Sequence, residues 1–94
     1  MDAKTAVKYA KEYVADMFSE EGARDIGLEE VEYDHEQNAW RVTIGFTRAW
    51  DEPRSAIAAL SAGSVKRTYK VLTVNDPDGV VLSVHNRDLM LPMK

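Results

Sequence analysis

The chain has 94 residues, of which 45% are apolar and 30% are charged, and its formal net charge is −4. This length and composition predict a single globular domain spanning residues 1–94 and exclude a disordered chain. The absence of cysteine excludes a disulfide framework and a thiolate metal site, and the acidic net charge argues against non-specific nucleic-acid binding. No stretch has the apolar core of a signal peptide or the length of a membrane span, so the sequence predicts a cytoplasmic protein.

An amphipathic helix is predicted at the start of the chain, because apolar residues recur there at helical spacing while lysines occupy the other side. Asp2 is the expected N-cap and Gly22 the expected stop. A single apolar stripe requires a sheet on which to pack. The stripe consists of Ala3, Ala6, Val7, Ala10, Val14, Met17 and Phe18.

Two strands are predicted next, joined by a polar loop. Residues 40–47 alternate between apolar and polar side chains, which is the period of a strand with one buried face and one solvated face. The preceding segment, 26–33, changes parity: either the strand begins near Glu29 or a bulge switches its faces. The alternating residues of the second strand are Trp40, Val42, Ile44 and Phe46 on one face and Arg41, Thr43, Gly45 and Thr47 on the other.

A closing β-hairpin is predicted over residues 67–87, around the sequence Asn75-Asp76-Pro77-Asp78-Gly79. Pro77 presets the backbone for a type I turn, Asp76 is expected to accept from backbone N–H groups, and Gly79 suits a left-handed bulge position. This turn predicts the pairs Val74–Leu82 and Leu72–Val84, with all four side chains facing the helix.

The order helix, strand, strand, insert, strand, strand predicts a two-layer α+β domain, with one N-terminal helix packed on a four-stranded, mostly antiparallel sheet. The insert at 49–66 suits either a short helix or a mobile loop. The predicted core consists of Val7, Ala10, Val14, Met17, Phe18, Val31, Tyr33, Trp40, Val42, Ile44, Phe46, Leu72, Val74, Leu82 and Val84.

Within the hairpin, Tyr69-Lys70-Val71, Val74, Asp76, Gly79-Val80-Val81 and Val84 together resemble the closing hairpin of PepSY-type domains, which are small helix-on-sheet modules related in shape to cystatins. The resemblance covers about a quarter of the chain. It implies a non-catalytic module that binds or restrains another protein, often a peptidase.

A longer and looser pattern runs through the chain: Trp40-x-Val42, Arg48, Pro53, Tyr69-x-Val71, Asp76-x-x-Gly79 and Arg87. It is similar to the gas-vesicle accessory proteins of the O type. Neither resemblance supplies a catalytic residue.

Charge is unevenly distributed along the chain. Residues 20–36 contain eight acidic residues and one basic residue, whereas residues 48–70 contain five basic and two acidic residues. The asymmetry could steer a partner, or the two segments could lie side by side and neutralise each other.

No cofactor or catalytic motif is present in the sequence. The hairpin turn does not fit a calcium loop, which would place Val74 and His85 at positions that require carboxylates. His35 is expected to be solvated rather than to bind a metal, and His85 with Ser83 lacks an oxyanion hole. A small-ligand site or enzyme with a pocket between helix and sheet, lined by Tyr13, Tyr33, Trp50 and His85, remains the alternative.

The sequence therefore favours a non-catalytic interaction domain: a small inhibitor, immunity or accessory protein. Its predicted binding face is the side of the hairpin that points away from the helix, with a rim of Lys70, Arg67 and Arg87. The occupant of that face could be the apolar tail at 89–93, a second copy in a homodimer, or a foreign protein. The predicted binding residues are Tyr69, Val71, Val81, His85 and Arg87.

Overall fold

The structure is a computed structural model in which residues 1–48 and 67–87 are described. These residues form one helix packed on a four-stranded antiparallel sheet of order β1-β2-β3-β4, which confirms the predicted α+β class. The elements are helix α1 (Ala3–Met17), a short 3-10 helix (Ser19–Glu21), and strands β1 (Arg24–Asp34), β2 (Ala39–Thr47), β3 (Thr68–Asn75) and β4 (Val81–Asn86). The predicted insert at 49–66 and the apolar tail at 89–93 lie outside the described residues.

Helix α1 is capped as the sequence predicts. The Asp2 carboxylate accepts from the Thr5 N–H at 2.9 Å, which satisfies a free donor of the first turn. Hydrogen bonding to the Thr5 side chain and to its backbone N–H lowers the pKa of Asp2. Gly22 ends the following 3-10 turn in a left-handed conformation, with φ 73°. Met17 was predicted to be buried but is 49% exposed. Phe18, which was also predicted to be buried, does pack against the core, because it lies one helical turn after the buried Val14.

The core lies between α1 and the two central strands. Val42, Ile44 and Phe46 of β2 are fully buried, as the period-two pattern predicts. The small side chains of Ala6 and Ala10 on α1 let the helix backbone approach the sheet closely. The other fully buried members of this cluster are Val14, Leu72 and Val74.

Strand β1 contains the bulge that its change of parity indicated. Its register against β2 shifts after Leu28, with Glu29 as the extra residue. Leu28 and Val31 consequently lie opposite Ile44 and Val42, on the same face of the sheet. Because of the bulge, apolar side chains from before and after Glu29 face the same side of one continuous strand.

The β3–β4 hairpin contains the predicted Leu72–Val84 pair but not the predicted Val74–Leu82 pair. Val74 lies opposite Val81, and Leu82 is left without a partner on β3. Val81 packs against the core, whereas Leu82 is 57% exposed. The sequence-based prediction, in which Leu82 faces the helix and Val81 faces outward, is therefore wrong for both side chains.

The hydrogen bonds of the turn account for this register of β3 and β4. The Gly79 N–H donates to the Asn75 carbonyl at 2.8 Å, and the Asn75 N–H donates to the Val80 carbonyl at 2.8 Å. Asn75 and Val80 thus close the hairpin directly, and the extra residue expected at the turn is accommodated at Leu82 instead. Gly79 has the predicted left-handed conformation, with φ 75°.

The turn carboxylates have partners other than those expected. Asp76 accepts from the Trp40 indole N–H at 2.8 Å, and this hydrogen bond lowers the pKa of Asp76. The backbone-accepting role belongs to Asp78, whose carboxylate accepts from the Val80 N–H at 3.0 Å and has a lowered pKa for that reason. The indole hydrogen bond links the turn to β2, one of the two central strands of the sheet.

The bulge at Leu82 predicts opposite outcomes for two adjacent substitutions. Val81→Asp should lower the free energy of unfolding by about 1–3 kcal/mol, because it places a carboxylate against the core. Leu82→Asp should change it by less than about 0.5 kcal/mol, as expected at an exposed position. Urea unfolding of both variants in dilute solution measures the difference. Equal destabilisation by the two substitutions would contradict the bulge.

The Trp40–Asp76 hydrogen bond predicts a pH-dependent contribution to stability. Because the pKa of Asp76 is lower in the folded state, the bond stabilises the fold above the unfolded pKa of about 3.9 and is lost as the pH falls through the folded pKa. Trp40→Phe, which removes the donor, should therefore be less stable than the wild type at neutral pH, and the difference should shrink in acid. Denaturant titrations from about pH 7 to about pH 3 test this. A difference that stays constant with pH would assign the effect to packing alone.

Candidate functional site

Four of the five residues predicted to form a binding site lie together on the sheet face opposite α1. Val71 pairs with His85, and the Arg87 N–H donates to the Tyr69 carbonyl at 3.2 Å. These side chains face outward, since Leu72, between Tyr69 and the turn, faces the core and alternate residues of a strand point to opposite faces. The fifth residue, Val81, packs against the core and does not belong to this surface.

Tyr69 is positioned by a glycine on the neighbouring strand. Gly45 lies directly opposite Tyr69, and a Cβ on Gly45 would be 2.9 Å from the Cε1 atom of the tyrosine ring. Only glycine leaves room for the ring to lie across β2. The guanidinium carbon of Arg87 is 4.0 Å from the ring centroid, close enough for a cation–π contact that typically contributes about 0.5–2 kcal/mol.

A second guanidinium lies beside this stack. Arg67 donates from Nη2 to the Asp25 carbonyl at 2.9 Å, and the same atom is 3.2 Å from where a Cβ on Gly45 would lie. Within residues 1–48 and 67–87, neither Arg67 nor Arg87 forms an ion pair. The Nε of Arg87 is buried and has no hydrogen-bond partner among these residues. We refer to Arg67, Tyr69, Val71, His85 and Arg87 as the outer cluster.

Lys70 was expected at the rim of this surface but lies on the opposite face. It pairs with Ile44, and its Nζ is 5.5 Å from the Phe18 ring centroid. The ammonium also donates to the Asn86 side chain at 2.5 Å. The positive charge of the outer cluster therefore comes from its two arginines.

The predicted solvated face of β2 is mostly buried. Thr43 and Thr47 are only 4% and 5% exposed, and Gly45 is buried under the ring of Tyr69. The Thr47 hydroxyl donates to the Asp25 carboxylate at 3.2 Å. The prediction that this face of β2 is solvated is thus wrong, because long side chains from the neighbouring strands extend over the small residues of β2.

Within the described residues, the basic segment forms an ion pair with the acidic segment through Arg48. Arg48 pairs with Glu21 at 2.9 Å and thereby links the basic segment to the acidic one. Arg41 pairs with Glu32 at 3.0 Å and with Asp34 at 2.8 Å. In the described part of the chain, Glu29 and Glu30 make no ion pair.

Residues considered for other chemistry are dispersed. Tyr13 packs against the core, Tyr33 contacts the His35 and Trp40 rings, and His85 lies on the outer face, so they line no common space. Trp50 lies outside the described residues. Among the residues that are described, no pocket opens between helix and sheet, and no group of three or more potential metal ligands is found.

The sequence analysis missed the role of Gly45, which was read only as a polar-face position. Arg67 was predicted at the rim of the binding face, but without its contact to Gly45. Their contribution depends on the alignment of β2 with β3 across residues 49–66, which no local pattern fixes. A glycine within a strand is nevertheless a signal that another group approaches its backbone closely.

Comparisons with protein-family models, with curated proteins and with solved structures gave no match. In the described part of the chain, no helix is long and apolar enough to cross a membrane.

The Tyr69–Gly45 contact predicts a non-additive pair of substitutions. Gly45→Ala should destabilise the domain by about 1–3 kcal/mol, because its methyl group would displace the tyrosine ring. In a Tyr69→Ala background the same change should cost much less, because only the end of the flexible Arg67 side chain, 3.2 Å from the new Cβ, then remains close. A double-mutant cycle from urea unfolding gives the coupling energy. Additive effects would show that Tyr69 does not lie across Gly45.

Proposed function

We propose that this chain is a non-catalytic protein-interaction domain, acting as a small inhibitor, immunity or accessory protein through its outer cluster. The observation that carries the proposal is the stack of Arg87 on Tyr69 beside Arg67, with no ion pair to either arginine within the described residues. Tyrosine and arginine are enriched in protein interfaces, where they supply a large contact area and directional donors.

The charge of the outer cluster specifies the partner's chemistry. Two guanidinium groups next to an aromatic ring fit a partner surface that presents aspartate or glutamate side chains. The stack on Tyr69 restricts the Arg87 side chain before binding, which lowers the entropy lost on association. The half-buried Val71 and the exposed His85, paired across β3 and β4, extend the contact surface.

The resemblance to PepSY-type domains supports a role in binding or restraining another protein. Such a role requires only shape and surface complementarity, in keeping with a helix-on-sheet domain whose described interlayer space is filled by side chains. The absence of cysteine suits a reducing compartment, and we place the interaction in the cytoplasm.

Reversing both charges of the outer cluster should abolish partner capture without unfolding the domain. A photo-crosslinking amino acid at the exposed His85 position, in cells of the source organism, should give a specific protein adduct. Adding Arg67→Glu and Arg87→Glu should remove that adduct, because the partner's carboxylates would then face glutamates. Mass spectrometry identifies the adduct, and circular dichroism with thermal unfolding checks that the variant is folded.

A matched control comes from helix α1. Lys4→Glu with Lys11→Glu makes the same change in net charge at two exposed helical positions and should leave the His85 adduct unchanged. A crosslinker at the exposed Lys8 should not yield the same adduct. Persistence of the adduct after both arginines are reversed would contradict the proposal, as would an equal yield from Lys8.

A further inference from the structure

The two edges of the sheet are protected to different degrees. Among the described residues, β1 and β4 each have one unpaired side. β1 carries the exposed Glu29, Glu30 and Glu32 and two register irregularities, which are features that prevent strand addition. β4 contains no charged residue, proline or glycine, and its only bulge lies at its start. The edge that can accept another strand is therefore β4.

The regular part of β4 directs backbone groups outward. The Arg87 N–H bonds to the Tyr69 carbonyl of β3. In an antiparallel ladder, residues bonded to one neighbouring strand alternate with residues whose N–H and C=O groups point to the other side. By this alternation His85 bonds toward β3, and Val84 and Asn86 present their backbone groups to the free edge.

Exposed apolar side chains lie next to this edge. Leu82 and Val80 are 57% and 52% exposed, the largest values for large hydrophobic residues in the described part of the chain. Beside them the exposed Tyr9 of α1 lies against Gly79, where a Cβ would be 2.7 Å from the Tyr9 Cε2 atom. A strand added to β4 would cover part of this apolar strip.

We propose that β4 pairs antiparallel with β4 of a second copy of the chain, giving a two-fold symmetric dimer with a continuous sheet. Centred on Val84, this pairing sets Val84 against its own copy and Leu82 against Asn86, so that no charged side chains meet. The two Arg87 residues would lie roughly 20 Å apart at about 3.4 Å per residue, which exceeds the screening length of about 8–10 Å.

Charge favours a second copy as the occupant. Although the net charge is −4, the exposed glutamates of the sheet are on β1, and the dimer places its two β1 strands at the far ends of the joined sheet. Pairing through β1 would instead bring glutamates against glutamates. The inference does not depend on the proposed function, because strand pairing uses backbone groups at the sheet edge, whereas the outer cluster uses side chains on the face opposite α1.

A pair of leucine substitutions tests the dimer. Leu82→Lys introduces a charge at the β4 edge, once on each side of the two-fold axis, and should weaken the dimer by roughly tenfold or more. Leu28→Lys makes the same chemical change at an exposed leucine of β1 and should leave the dimer unaffected. Sedimentation equilibrium of the wild type and both variants over a wide concentration range measures the dissociation constants.

Hydrogen exchange of the wild-type protein gives a second readout that needs no variant. The Val84 and Asn86 amides should exchange more slowly as the concentration rises through the dimer dissociation constant, whereas the Glu30 amide should not change. A monomer with slow exchange at every concentration would place a segment of the same chain on β4 and overturn the proposal. A monomer with fast exchange would also overturn it, as would a dimer that Leu82→Lys leaves intact.

Discussion

The packing of a single helix on one face of the sheet is the constraint on which the rest of the structure depends. Helix α1 presents a narrow stripe of Ala6, Ala10 and Val14, and the alternating side chains of β2 meet it with Val42, Ile44 and Phe46. Full burial of a valine, isoleucine or phenylalanine side chain stabilises a fold by about 1.5–3 kcal/mol. The described residues supply no second layer, so within that part of the chain only the sheet's own side chains protect its opposite face and its two edges.

Strand alternation places Lys70 and Arg87 on opposite faces of the sheet. Tyr69 and Lys70 are adjacent in sequence but lie on opposite faces. The flexible lysine stem can extend along the core margin toward Phe18 while its ammonium remains hydrated. The planar guanidinium of Arg87 instead stacks on Tyr69. A one-residue shift in the register of β3 would turn Tyr69 toward the core face and Lys70 toward the outer face. The alignment of β3 therefore determines which side chains form the outer cluster.

The sequence allowed the elements of the described fold to be predicted where one local period dominates. Trp40–Phe46 alternates cleanly, and α1 has both a cap and a stripe. The faces of Val81 and Leu82 could not be assigned, because both are aliphatic and the position of the bulge follows from which backbone groups close the turn. Tyr69 and Arg87 could be placed on one surface from parity alone. The support that Gly45 gives to Tyr69 could not, since it depends on pairing between strands that are distant in sequence.

The order of the strands has a consequence for the rate of folding. β1 with β2, and β3 with β4, are joined by short turns, so each pair makes contacts that are local in sequence. The β2–β3 interface alone must close the long connection through residues 49–66. Loop-closure entropy grows slowly with length, by only about 0.6 kcal/mol for each doubling. Two hairpins that form early and dock late would place the folding barrier at the pairing of β2 with β3. The length of the connection could vary widely between related chains with little effect on stability.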